Sequence, residues 1–392
     1  MSDNLTNEEI LVTFNDLSYD ILELIFIKCK SSDKQKLAFI NKDFNRIYLE
    51  YKKFISLDIL KGISKERSER YLDKYILIVD IDFNNSDNQK ELMSKLASIG
   101  SIDGLKYLHT KGFKWNEQIC ENAVKNGHLD CLRYAHENGC PLHKYTCWHA
   151  TINGHIECLK YAHEHGCSWN EDTCACAAEN GHLDCLKYAH ENGCPWNEDT
   201  CKCAAINGHL DCLIYAHEND CSWNEDTCEY AAKYGHLDCL RYAHENDCPW
   251  NEYTCWHATI NGHIECLKYA HENGCPWNEN ICEYAARNDH IDCLKYAHEN
   301  GCHCNPLLYE YATKYCQIDC LIYAHDADHN GHIFSCQNAA KYGHLDCLKY
   351  AHENGCHWDE DTCKYAAKYG HLDCLIYAHE NGCPDVIISY DS

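Results

Sequence analysis

The chain has 392 residues, with 61 acids against 34 bases, a formal net charge of −27 and 45% hydrophobic residues. That acidity leaves no basic face to neutralise phosphates, which excludes a nucleic-acid partner and favours a neutral or basic protein surface. The most apolar stretch, Ile76 to Ile81, is far short of the roughly 20 residues that span a bilayer. Residues 1 to 30 show no cleavable leader, so a soluble, intracellular protein is expected.

Residues 1–12 read as a polar tail. Leu17 to Phe26 reads as an amphipathic helix with Ile21, Leu22, Ile25 and Phe26 on one side. Ser32 or Asp33 opens a second helix carrying Leu37 and Ile40, and Phe44, Ile47, Tyr48 and Tyr51 mark a third. Three short helices over residues 13–55 make a minimal domain. Two roles are open to it: a separate head, or a cap over the apolar end of the array that follows. Residues 56–89 join the two parts. They comprise a charged segment from Lys65 to Arg70, a buried stretch from Tyr75 to Ile81, and a loop from Asn84 to Asn88 before the first repeat helix near Lys90.

From residue 90 to 384 the chain repeats itself. The glycine of a Gly-His pair falls at 127, 154, 181, 208, 235, 262, 343 and 370, and the same 27-residue step continues through Asp289 and Cys316. A degenerate copy begins at Gly100. An unbroken period of this length is the signature of a stacked solenoid, here of about eleven units. In one unit, Asn170 caps a first helix (A) whose Cys174, Ala177 and Ala178 form an i, i+3, i+4 apolar face. Gly181-His182 turns the chain. A second helix (B) then carries Leu183, Cys185, Leu186, Tyr188 and Ala189 and stops at Gly193, with Cys194-Pro195-Trp196 leading to the next cap. Helices of about ten residues do not persist alone in water, so each unit must lean on its neighbours. The expected fold is all-α, an elongated solenoid of helix pairs behind a small three-helix domain. Residues 385–392 form a C-terminal tail.

Most of the 33 cysteines lie in three columns of the repeat, such as Cys147, Cys158 and Cys167. Cysteines of one column sit a unit apart, about 8–10 Å, beyond disulfide reach. They read as small buried hydrophobes in a reducing compartment. Zinc is the sharper alternative, because His136 and Cys140, and likewise His163 and Cys167, lie four residues apart. These pairs straddle a helix-ending glycine and show no four-ligand spacing, so neither a metal nor any other cofactor is assigned. His128 and Cys131 recur unit after unit, whereas an active site needs one asymmetric constellation. No enzymatic activity is expected, and no catalytic residue is named. One unit departs from the pattern: Tyr309 replaces the helix A cysteine and Cys316-Gln317 replaces Gly-His. A local metal site of Cys302, Cys304 and His329 is one reading of this unit, 302–332, and a worn repeat is the other.

Comparing units separates scaffold from surface. Ala, Leu, Asp and Gly columns scarcely change, while the two positions after the helix A cysteine vary widely. Trp148, His149, Lys202, Glu229, Tyr230, Trp256, His257, Glu283, Tyr284, Glu310, Tyr311, Lys364 and Tyr365 occupy them and are the candidate target-binding residues, since exposed aromatic residues anchor interfaces. The segment from Tyr145 to Glu164 recurs unchanged from Tyr253 to Glu272, so part of this variation records duplication.

The run Thr200-Cys201 to Ala204-Ala205, followed by Asn207-Gly208-His209-Leu210-Asp211, resembles the ankyrin repeat. The resemblance implies that helix A lines a concave binding face, that the glycine-linked histidine bridges neighbouring turns, and that a protein target is the ligand. A unit of 27 residues leaves no room for the β-turn fingers of a repeat of about 33, so the fingers are expected to be reduced or absent. Short Cys-Pro-Trp-Asn-Glu units are similar to those of ankyrin-repeat proteins from large DNA viruses of amoebae, which would place the protein in a host cytoplasm. The N-terminal helices resemble an F-box, with Leu17, Asp20 to Leu22, Ile25-Phe26, Leu37, Ile40, Lys42 and Phe44 at its positions and Ser18 in place of the usual proline. That resemblance implies that Leu17, Ile21, Leu22, Ile25 and Phe26 dock the Skp adaptor of a cullin ubiquitin ligase. The expected function is therefore a ligase adaptor that presents a bound protein for ubiquitination. The alternative is a plain ankyrin scaffold without that link.

Overall fold

A computed structural model describes residues 86–143, 145–278, 280–302, 306–327 and 336–384. The N-terminal tail, the three-helix domain and nearly all of the linker, together with the C-terminal tail, lie outside the described residues, as do Cys304 and His329. Among the described residues there are 22 α-helices and no strand. They alternate as A and B helices of successive pairs, for example Glu225–Tyr234 and Leu237–Glu245. Among the described residues the segments joining B to the next A are short and carry no strand, so no finger of a longer repeat is seen there. The first helix begins at Ser86 and runs to Ser98. Ser86, Asp87 and Asn88 are thus its first turn, not the expected loop.

The described residues divide into two compact units, those up to 173 together with 184–194, and 174–183 together with those from 195 onward. In the first, helix A Ser86–Ser98 packs on Glu117–Lys125, which packs on Thr146–Ile152. In the second, A helices pack in the same succession from Glu198–Ile206 to Glu360–Tyr369. The successive pairs form a repeat solenoid. Ala204, Ala205, Ala231 and Ala232 are completely buried, which lets the A helices pack closely, while Leu213, Leu240 and Leu267 fill the layer beneath. Each such leucine contributes about 1.5–3 kcal/mol by leaving water.

The Gly-His turn is the seam between pairs. Gly127 has φ +71°, and a Cβ built on it would lie 2.6 Å from Nδ1 of His155 in the next unit. The His155 Nε2 reaches back to the Lys125 carbonyl at 3.2 Å, and His128 to Ser98, His236 to Ile206 and His371 to Lys341 repeat the contact at 3.1, 3.0 and 3.1 Å. A carbonyl only accepts, so Nε2 carries a proton, and in the neutral ring Nδ1, which faces the glycine, does not. At the other glycine column, Gly139, Gly166 and Gly193 have nothing within 4 Å of the built Cβ. Accordingly Asp220 and Asp247 replace glycine there at φ +64° without any change opposite, Asp being tolerant of the left-handed region. Asp289 enters the crowded column at φ +62°, and there the facing residue is Gln317 instead of histidine. With its amide nitrogen toward Asp289, Gln317 donates to both carboxylate oxygens at 3.1 and 3.2 Å. Cys316 also sits at this column, at φ +61°, and His344 in the next unit makes the usual bond to the Lys314 carbonyl, at 2.9 Å.

A second ladder joins the B helices. The His136 Nδ1 and Tyr161 hydroxyl are 2.9 Å apart, as are those of His244 and Tyr269. The linker tryptophan covers the histidine: Trp223 stacks on His217 at 3.8 Å, Trp250 on His244 at 3.8 Å, and each also meets the next tyrosine edge-on. Of the spaced His136 and Cys140, the histidine Nδ1 pairs with the Tyr161 hydroxyl, and the Cys140 thiol donates to the Asn116 carbonyl at 3.0 Å.

Candidate protein-binding surface

Helix A is positioned by its cap and held by its buried face. The Asn224 side chain accepts from the Asp226 N–H at 3.1 Å, and Asn251 from the Tyr253 N–H at 2.9 Å. Thr227, Cys228, Ala231 and Ala232 are then fully buried, leaving Glu229 and Tyr230 half-buried between them. The variable positions are those where the helix turns its side chains away from the packed layers. Trp148, His149, Lys202, Trp256, His257, Tyr284, Tyr311 and Tyr365 are also half-buried, Glu310 and Lys364 are exposed, and Glu283 is buried.

Some of these residues are brought together across units. Trp256 meets Tyr284 of the next unit edge-on at 5.9 Å, with His257 at 4.7 Å and the half-exposed Tyr253 at 6.2 Å. Burial, helped by the Lys233 charge, holds the His257 imidazole below its ordinary pKa. In the first unit the copy of this cluster faces a cavity of about 570 Å3 lined by Tyr145, Trp148, His149, Trp169 and Asp172. There His149 Nε2 lies 2.9 Å from the Glu121 carboxylate, which Lys125 also contacts at 2.6 Å. Burial and the Lys125 charge lower the His149 pKa, and Glu121 opposes them. Lys202 is paired with Asp199, and Lys364 with Asp361 at 2.8 Å. Burial raises the Glu229 carboxyl, against a hydrogen bond from Asn251.

Sequence reasoning missed a second column, at the last turn of helix A. Tyr234, Tyr315 and Tyr369 are among the exposed large side chains, at 45%, 37% and 47%. Tyr234 is parallel to Tyr230 at 6.4 Å, Tyr315 to Tyr311 at 6.4 Å, and Tyr369 to Tyr365 at 6.1 Å. Cations lie over these rings: Lys233 over Tyr230 and Tyr234 at 5.3 Å, Arg287 over Tyr315 at 5.4 Å, and Lys341 over Tyr342 and Tyr365 at 5.3 and 5.9 Å. The signal was the recurring Ala-Ala-Lys-Tyr-Gly before the turn. In a chain so acidic overall, helix A of the second unit therefore presents a stripe of aromatic rings and cations.

Among the described residues no three of His, Cys, Asp or Glu are gathered as a metal would require, and no helix is long and apolar enough to cross a membrane. Compared with known proteins, the chain matches no curated protein. Residues 228–307 match the family model described as ankyrin repeats (3 copies). These residues are ankyrin repeats, and the described units on either side carry the same helix pair at the same 27-residue step.

Proposed function

We propose that this protein is an adaptor whose helix A surface grips a protein target while residues 13–55 dock a cullin-type ubiquitin ligase in the cytoplasm of a host cell. Ankyrin repeats serve as protein–protein interaction scaffolds, and stacked helix pairs supply a rigid face for such binding. The observation that carries the target-binding half is the cluster of Trp256, His257, Tyr253 and Tyr284, held by two adjacent units, with Thr254, Cys255, Ala258 and Thr259 fully buried behind it. Aromatic groups set rigidly at half exposure are the usual anchors of an interface. The ligase half rests on the F-box-like spacing of Leu17, Ile21, Leu22, Ile25 and Phe26.

Each half has its own test. Pull-down with the Skp adaptor compares the wild-type chain with Leu22→Asp and Ile25→Asp; equal recovery, or none from any of them, removes the ligase link and leaves a plain scaffold. For the target, a partner bound by the wild type is titrated against Trp148→Ser/Trp256→Ser/Tyr284→Ser and against Lys160→Ser/Lys268→Ser on helix B. Affinity is expected to fall at least tenfold in the first variant only, and equal losses in both would refute the assignment of the face.

A further inference from the structure

Cysteines of different columns, unlike those of one column, touch. The helix A cysteine and the one twenty positions later, just after helix B of the same pair, meet in both compact units. The Cys147 Sγ lies 3.7 Å from the Cys167 carbonyl, and Cys255 Sγ lies 3.9 Å from that of Cys275. The Cys336 backbone N–H donates to the Cys356 Sγ at 3.3 Å. In each of these pairs the two thiols also hydrogen-bond each other. The sequence treats the two positions as one. Nine units have cysteine at both, from Cys120 and Cys140 to Cys363 and Cys383. Where one is lost the other is lost as well: Met93 stands with Phe113 and Tyr309 with His329. Independent small hydrophobes would be replaced independently.

We propose that these pairs are sites of reversible oxidation, in which a hydroperoxide converts the two thiols into a disulfide that ties helix A to the chain leaving helix B of the same pair. The attacking group is the later cysteine. Cys356 is partly exposed, and the Cys336 groups that donate to its thiolate hold its pKa down against burial. At Cys167 the Cys147 thiol and Thr146 do the same, to about 6. The thiolate attacks one peroxide oxygen, giving a sulfenic acid and hydroxide, and the O–O bond breaks. The helix A thiol then loses its proton and attacks the sulfenic sulfur, and the second oxygen departs as water. Two thiols and one hydrogen peroxide thus yield one disulfide and two waters, with the peroxide reduced. The link closes within a unit, so it stiffens each pair without joining neighbours.

The test treats the full chain with hydrogen peroxide, alkylates the remaining thiols and maps peptides without reduction. Links joining Cys336 to Cys356 and Cys147 to Cys167 are expected, each two hydrogens lighter than the dithiol and reversed by dithiothreitol. In Cys336→Ala, Cys356 should accumulate as a sulfenic acid trapped by dimedone, while the Cys147–Cys167 link forms as before. The proposal is overturned by oxidation confined to Cys176, Cys203 and Cys316, by links between cysteines of one column, or by pairs that oxidise only once the chain is unfolded in urea.

Discussion

Gly127→Ala probes the seam between pairs most directly. Its new Cβ must hold φ +71° and sits 2.6 Å from the ring of His155. The left-handed backbone costs about 1–2 kcal/mol for a residue with a side chain. If the ring is displaced from the Lys125 carbonyl, its hydrogen bond adds about 0.5–1.5 kcal/mol. The sum is about 1.5–3.5 kcal/mol, and since each 1.4 kcal/mol is about tenfold, amides of the turn should exchange with deuterium roughly 10- to 300-fold faster. Gly127→Asp should be worse at pH 8, because its carboxylate would face the bare Nδ1 of His155. Adding His155→Gln copies the Asp289–Gln317 pair and should recover about 1 kcal/mol or more relative to the sum of the single changes, within the usual range for touching residues. Hydrogen exchange followed by mass spectrometry reads all four proteins of the cycle. A Gly127→Ala chain that exchanges like wild type, or a double variant that is merely additive, would refute the account of the seam.

Leu240 is wholly buried, and Leu240→Ala should destabilise its pair by about 2.7–5 kcal/mol, against less than about 0.5 kcal/mol for the exposed Lys268→Ala; urea unfolding followed by helical circular dichroism compares them. Protonation of His257 is disfavoured in the folded chain, so the unfolded chain binds more protons near and below the unfolded value of about 6.5. Stability from this group is complete above that pH and is lost as the pH falls through it toward the lower folded value. Thermal melts at pH 7.5 and 5.5 should therefore show a drop that is smaller in His257→Gln, and an unchanged drop would contradict the burial argument. Asn224→Ala should cost about 1 kcal/mol through the lost cap, visible as faster exchange at the first turn of Glu225–Tyr234.

The period was legible because Gly-His-Leu-Asp places a turn and a helix start at fixed intervals, and physical chemistry allows few structures for such a repeat. Helix A was equally legible: the Cys and Ala-Ala spacing marks the buried stripe, so the positions between must face outward, as Trp256 and Tyr230 do. Glu283 shows the limit of that rule, since a neighbour can bury an outward position. The thiol contacts were hidden because sequence comparison aligns equivalent positions, whereas Cys147 touches the non-equivalent Cys167 through the fold of the pair. The tyrosine–cation stripe was missed for a similar reason: Lys233 reads as a helix-end charge until the rings of Tyr230 and Tyr234 are placed on either side of it.

The Asp289–Gln317 contact makes one joint of the array unlike the rest. Gly100, Gly127, Gly181, Gly208, Gly235, Gly262 and Gly343 each meet a histidine of the next unit, so those units could be deleted, copied or exchanged by recombination and still find a matching neighbour. At this joint a lock meets one key: moving either unit alone would set a carboxylate against an imidazole lone pair, or leave an amide facing bare glycine. The two units around residue 300 should therefore travel as a block when the array grows or shrinks, and they fix a reference point from which every other position in the stack can be counted.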